Sequence, residues 1–163
     1  MKGAAPSVFV SSTCYDLSQI RADLKTFIEE MGYRQIMSEY DSFPVDPNIS
    51  AVENCLRTVE ACADIFVLII GGRYGALVGS NKSVTNLEYI KAKTKGIPIY
   101  AFVTKSLLNT LSLWKDNPSG NFSSIVDSTK VFEFVDSLRD VVNIWVFPFE
   151  TAQDITSALK KQW

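Results

Sequence analysis

The run Ile65-Phe66-Val67-Leu68-Ile69-Ile70 is apolar at every position and breaks at Gly71-Gly72-Arg73-Tyr74-Gly75. A strand with one wet face would carry polar residues at alternate positions. An unbroken run therefore predicts a strand covered on both faces, as in a parallel sheet between two helical layers. It is too short to cross a membrane, which takes roughly 20 apolar residues.

The rest of the chain follows the same pattern. Val8-Phe9-Val10 predicts a first short buried strand, broken by Ser11-Ser12-Thr13. Leu17, Ile20, Leu24, Phe27, Ile28 and Met31 then recur at spacings of three and four, which is an amphipathic helix, with Gly32 as its stop. Arg34 to Met37 predicts a second strand, nearer an edge, and Glu39 to Asn48 a polar loop. A second helix places Ile49, Val52, Cys55, Leu56, Val59 and Cys62 on one face. A third helix runs from Asn86 to Lys95, and a fourth strand from Ile99 to Val103. Thr104 to Ser124 reads as a long, partly helical insertion. Helix Val126 to Leu138, strand Asn143 to Phe147 and helix Asp154 to Lys161 complete the chain.

Alternating strands and helices imply an α/β fold with right-handed crossovers. The expected architecture is a flavodoxin-like three-layer sandwich around a five-stranded parallel sheet of order 2-1-3-4-5. With 163 residues, positions 1–163 form a single domain. The chain stops at Trp163 directly after helical residues, as expected of a domain taken from a longer protein.

Composition excludes several functions. The formal charge is −2 and no basic stripe is present, so a duplex nucleic-acid binder is not expected. Histidine is absent, which removes Ser-His-Asp and Cys-His catalysis within the chain and any histidine-bearing metal site. Cys14, Cys55 and Cys62 are odd in number and irregular in spacing, so they suit a reducing compartment rather than a disulfide framework. Met1 to Pro6 is no signal peptide. A cytoplasmic protein without membrane partner, bound metal or required cofactor is the expectation.

Ligands of open α/β sheets sit outside the carboxyl ends of the strands, so the segments after each strand are the candidate site. Ser11, Ser12 and Thr13 precede a helix, where small hydroxyls and free backbone N–H groups suit a phosphate. Thr13 and Asp16 also have the spacing of a helix cap. Glu39 follows the second strand, where a carboxylate can accept from ribose hydroxyls or simply be solvated. In Gly71 to Gly75 the glycines allow close backbone approach, Arg73 offers a fork for phosphate, and Tyr74 a stacking face. Thr85 and Glu88 fit a capping box. They equally place a carboxylate at the pocket mouth, kept ionised by the helix dipole and suited to an oxocarbenium-like centre. No dinucleotide fingerprint and no P-loop is present.

These motifs together resemble the domain-of-unknown-function family 4062. The resemblance rests on Val8-Phe9-Val10-Ser11-Ser12-Thr13, Asp16-Leu17, Arg21, Ser38-Glu39, Cys55-Leu56 and Cys62-Ala63-Asp64-Ile65-Phe66. It continues through Gly71-Gly72-Arg73-Tyr74-Gly75 and Ser83-Val84-Thr85-Asn86-Leu87-Glu88-Tyr89, over roughly Ser7 to Val103. It implies a fold like that of Toll/interleukin-1-receptor (TIR) domains and nucleoside deoxyribosyltransferases. It also implies an N-terminal module of a larger protein, often ahead of a signalling NTPase. In the related enzymes a Glu at the start of the corresponding helix acts on the N-glycosidic bond of NAD or a nucleoside, and Glu88 matches that place. Two departures stand out: Cys14 replaces an expected aromatic residue, and Ile20 and Ala22 leave Arg21 without the acid often found beside it.

Two functions follow as expectations. One is a nucleotide-binding effector that cleaves the N-glycosidic bond of NAD or a nucleoside through Glu88. The other is a non-catalytic module that senses a nucleotide, self-associates or contacts partner domains of a larger protein.

Overall fold

The computed structural model describes residues 4–13, 17–75, 77–78 and 81–163. Its main sheet contains β1 (Ser7–Ser11), β2 (Arg34–Ile36), β3 (Ile65–Ile70), β6 (Ile99–Thr104) and β7 (Val146–Phe149). A two-stranded antiparallel hairpin, β4 (Leu77–Val78) with β5 (Lys82–Ser83), lies between β3 and the next helix. The helices are α1 (Ser18–Glu30), α2 (Ala51–Cys62), α3 (Val84–Lys95), α4 (Lys105–Asp116), α5 (Lys130–Arg139) and α6 (Ala152–Gln162).

The main sheet runs β2-β1-β3-β6-β7 with every neighbouring pair parallel. Numbered within that sheet alone, this is the expected order 2-1-3-4-5. The register places Phe9 opposite Phe66 and Phe66 opposite Ile99, so the apolar run of β3 is paired on both sides. Side chains alternate across it as the pleat requires. Phe9, Phe66, Leu68, Ile70, Ala101 and Val103 point into one core, with Val59 of α2, Ala92 of α3, Leu107 of α4 and Phe132 of α5. Val8, Val10, Val67, Ile69 and Phe102 point into the other, against Leu24 and Ile28 of α1 and Ile155 and Leu159 of α6.

Several elements differ from the sequence reading. The supposed insertion after Val103 is in large part a regular helix, α4, whose Leu107 and Leu111 are one turn apart and buried. The last strand starts later and reaches Phe149, which is buried; Pro148 is tolerated because β7 is an edge strand. The buried residues of α2 are Asn54, Thr58 and Val59, while Cys62 is exposed. Asn54 turns inward because its side chain bonds the Asp46 backbone on both sides, accepting from its N–H at 2.7 Å and donating to its carbonyl at 3.1 Å. Gly32 follows α1 at φ +84°, a conformation in which a side chain is strained, and so ends the helix as expected. Trp163 closes the chain against α1, with its ring 5.7 Å from that of Phe27 and 5.1 Å from that of Tyr33. Among the described residues, no helix is long and apolar enough to cross a membrane.

Candidate active site at the carboxyl ends of the strands

The carboxyl end of β1 delivers Ser11 and Ser12, both buried, to the edge of the sheet. Ser11 Oγ donates to Glu88 Oε1 at 2.8 Å, a contact across 77 residues of sequence. Glu88 lies on α3, which starts two residues earlier than the sequence pattern suggests. Its cap is Ser83, whose Oγ accepts from the Asn86 N–H at 3.1 Å. The Thr85–Glu88 capping box is therefore not formed: the first-turn donor already has a partner, and the carboxyl group turns to β1 instead.

Glu88 is 6% exposed. Burial pushes its pKa up to about 7, against the opposing pull of the Ser11 hydrogen bond and the Arg21 charge. Burial thus works against the expectation that the helix dipole keeps it ionised. Glu88 lies beyond the first turn of α3, where the dipole fades, and the loss of water around the carboxylate outweighs it.

Ser12 and Glu39 are joined by Arg21, a residue with no expected part in the site. Arg21 of α1 is 2% exposed. Its Nη1 donates to Ser12 Oγ at 2.8 Å and to the Val10 carbonyl at 3.2 Å. Its Nε and Nη2 fork onto the Glu39 carboxylate at 2.8 and 2.7 Å. The acid absent beside Arg21 in sequence is thus supplied by Glu39, whose carboxylate is engaged by Arg21 and lines no described part of the cleft. Burial raises the Glu39 pKa, but the hydrogen bond and charge of Arg21 outweigh it and hold the group below its ordinary value. A helix-facing Arg followed 18 residues later by an acid at a strand end was the available signal, and it is a weak one.

The glycine loop is largely engaged in packing. A Cβ on Gly72 would lie 2.5 Å from the Ile125 carbonyl oxygen. The Gly72 carbonyl accepts from the Asp127 N–H at 2.9 Å, and Asp127 Oδ1 accepts from the Tyr74 N–H at 3.0 Å. Gly72→Ala is accordingly expected to destabilise the domain by about 1–3 kcal/mol through overpacking; urea unfolding unchanged from wild type would contradict this close approach. Tyr74 is no stacking platform. It is 7% exposed, edge-on to Phe134 at 6.5 Å, and its hydroxyl accepts from Asn86 Nδ2 at 2.9 Å. Gly71 is buried at the end of β3. Arg73 is exposed and takes part in the cleft wall.

That cleft has a volume of about 370 Å³ and brings together Ser12, Thr13, Arg73 and Glu88. Ser38, Cys55, Gly75, Ser83, Val84 and Thr85 complete its described lining. Of the expected site residues, Ser11 stands behind Glu88, while Glu39, Gly71 and Tyr74 line no part of it. A larger hollow of about 810 Å³ lies at the opposite, amino ends of β1 and β2, by Ser7, Arg34 and Asp64. Position favours the smaller cleft, because it lies where parallel sheets place their ligands. Cys14 and Asp16, expected at the pocket wall and at a helix cap, lie outside the described residues. Among the described residues, no group of His, Cys, Asp or Glu side chains is placed to hold a metal ion.

A parallel sheet of this order with a polar cleft at its carboxyl ends is the arrangement of flavodoxin-like α/β domains. The family model "Domain of unknown function (DUF4062)" matches residues 7–163, and the chain belongs to that family. No curated protein matches the chain in sequence. Among solved structures it is similar to the Clostridium botulinum CMP N-glycosidase BcmB, with TM-score 0.56 and 15% identity over 96% of this chain and 99% of that one. It is also similar to the TIR domains of the activated Roq1 resistosome that recognises the pathogen effector XopQ. There the TM-score is 0.59, with 14% identity over 97% of this chain and 99% of that one. At such identities the likeness establishes the fold.

Proposed function

We propose that this domain binds a nucleotide in the carboxyl-end cleft and cleaves its N-glycosidic bond with Glu88. The observation that carries the reading is a carboxyl group buried in the wall of a polar cleft, with its pKa near 7 and a hydroxyl donor fixed on one oxygen. Such a group alternates between acid and carboxylate at neutral pH. The ionised form balances the positive charge that grows on C1′ as the C1′–N bond breaks and the base departs with the electron pair. Water then supplies the oxygen that bonds to C1′, and its proton passes to the departed base or to solvent. The likeness in fold to a CMP N-glycosidase supports this reaction class.

Incubation with nucleotides, NAD and nucleosides, with release of free base as the readout, tests the proposal. Base release by wild type and its loss in Glu88→Gln is the expected result. No release by wild type, or equal release by the variant, overturns it. The carboxylate is the active form, so the rate is expected to rise with pH through about 7 and then level off. Ser11→Ala removes a hydrogen bond that favours the carboxylate, so the inflection in the pH–rate profile is expected to move upward.

A second reading is a non-catalytic nucleotide-sensing or self-associating module. Val142 and Trp145 favour it: two apolar side chains close in sequence, 93% and 74% exposed just before edge strand β7, offer apolar surface for a contact. The fold shared with TIR domains of a resistosome supports it as well. Ligand-dependent thermal stabilisation without base release distinguishes it from the first reading.

A further inference from the structure

We infer that a small cavity behind the cleft holds one water, and that this is the water consumed when the glycosidic bond is cleaved. The inference rests on the proposal that the cleft cleaves such a bond, and names the source of the second reactant.

The cavity has a volume of about 10 Å³ and lies at the carboxyl end of β3, beside Ile69 and Ile70. That is the room of one water. Ser83 and Thr85 line both the cavity and the cleft, so the two adjoin. Both side chains are buried. Ser83 Oγ accepts from the Asn86 N–H at 3.1 Å, and that bond leaves the hydroxyl proton to be given. A buried donor is satisfied by protein or by ordered water, and the cavity sets a water against this one. Val131 and Phe134 of α5 line the cavity but not the cleft, so an apolar wall backs the water away from the site. A water held in this way is oriented. It accepts from Ser83, donates to Thr85 Oγ1, and keeps one lone pair toward the cleft.

Thr85 precedes Glu88 by three residues, so the two share a face of α3, and both line the cleft. The water therefore waits beside the carboxylate that balances the charge on C1′. A nucleotide seated in the cleft excludes bulk water from its sugar, while the cavity keeps one molecule in store. As the C1′–N bond breaks, the base leaves with the electron pair. The water oxygen then gives its lone pair to C1′, and its surplus proton passes to the departed base or to solvent.

A high-resolution crystal structure of the whole chain, together with base release from CMP, AMP and NAD, tests the inference. The expected result is an ordered water within hydrogen-bond distance of Ser83 Oγ and Thr85 Oγ1. Val131→Ile adds a carbon to the cavity wall and is expected to displace that water. It should lower kcat by about tenfold or more while KM stays within about twofold of wild type, since the cleft itself is unaltered. Thr85→Val keeps the shape of the side chain, removes the hydroxyl, and should lower kcat in the same way. With methanol added, wild type is expected to form the free sugar product and little methyl glycoside, because the stored water reaches C1′ first. Thr85→Val should form more of the glycoside. Base release by a wild type whose crystal shows no water there overturns the inference and leaves the proposed function in place. So does an unchanged kcat in both variants, or methyl glycoside formed by wild type in the proportion of methanol to water in the solvent. An ordered water with no base release from any of the three compounds overturns both.

Discussion

Replacing Glu88 with glutamine is expected to make the domain more stable at about pH 8 while abolishing base release. In the folded chain burial holds the Glu88 pKa up at about 7, whereas its ordinary value is 4.5. Between these values the native state keeps a proton that the unfolded state has lost, so stability falls as pH rises through this window. Each unit of separation is worth about 1.4 kcal/mol, so the full penalty is about 3 kcal/mol above neutrality and vanishes below about pH 4. Glutamine is neutral throughout and its Oε1 can still accept from Ser11. Urea unfolding of both proteins at about pH 4 and pH 8 should therefore show near-equal stabilities at the lower pH and a gap of about 2–3 kcal/mol at the higher. A gap that does not change with pH would mean that Glu88 is solvated in the native state. Stabilisation combined with lost turnover is the pattern expected when a charge is kept in an unfavourable place for chemistry.

What the sequence revealed and what it hid divide along the distance between partners. The β3 run and the α1 periodicity are local patterns, and both elements form as read. The α4 helix is also legible from Leu107 and Leu111, but Pro118 and Gly120 just beyond it give the stretch the look of a partly helical insertion. Two-residue strands such as β4 and β5 are too short to carry any alternation, so the hairpin was invisible. In the site, the residue types at the strand ends were recognisable while their partners were not. Thr85 and Glu88 have the spacing of a cap, yet the bond that fixes Glu88 comes from Ser11 on β1. Tyr74 follows glycines as a stacking residue would, but Phe134, from the last third of the chain, covers its ring. Glycine at Gly72 is required by the Ile125 carbonyl. Each of these facts depends on a segment that no local pattern connects to the site.

Arg21→Met is expected to be the most destabilising single substitution around the cleft, by about 3–5 kcal/mol. The long apolar side chain fills much of the same space, so the loss comes from polar groups left without partners. The Val10 carbonyl and Ser12 Oγ each lose a buried donor, and the Glu39 carboxylate loses both arms of its fork. The Glu39 side chain is 30% exposed, so water relieves part of its penalty and the lower half of that range is expected. Arg21→Lys should recover little, because a single ammonium cannot serve a carboxylate, a hydroxyl and a carbonyl from one planar fork. Arg21→Met combined with Glu39→Gln should recover more than Arg21→Lys, since it removes the stranded charge. The sign with pH is also fixed. Arg21 depresses the Glu39 pKa, so the contribution of the pair is fully present above the ordinary carboxylate range. It is lost as pH falls through the lowered native value, and the gap between wild type and Arg21→Met should narrow in acid. The same variant withdraws a positive charge that favours the Glu88 carboxylate, so any pH–rate inflection should move upward together with the loss of stability. A variant that loses stability while its inflection stays in place would show that Arg21 supports the end of β1 by packing and hydrogen bonding without tuning the acid beside it.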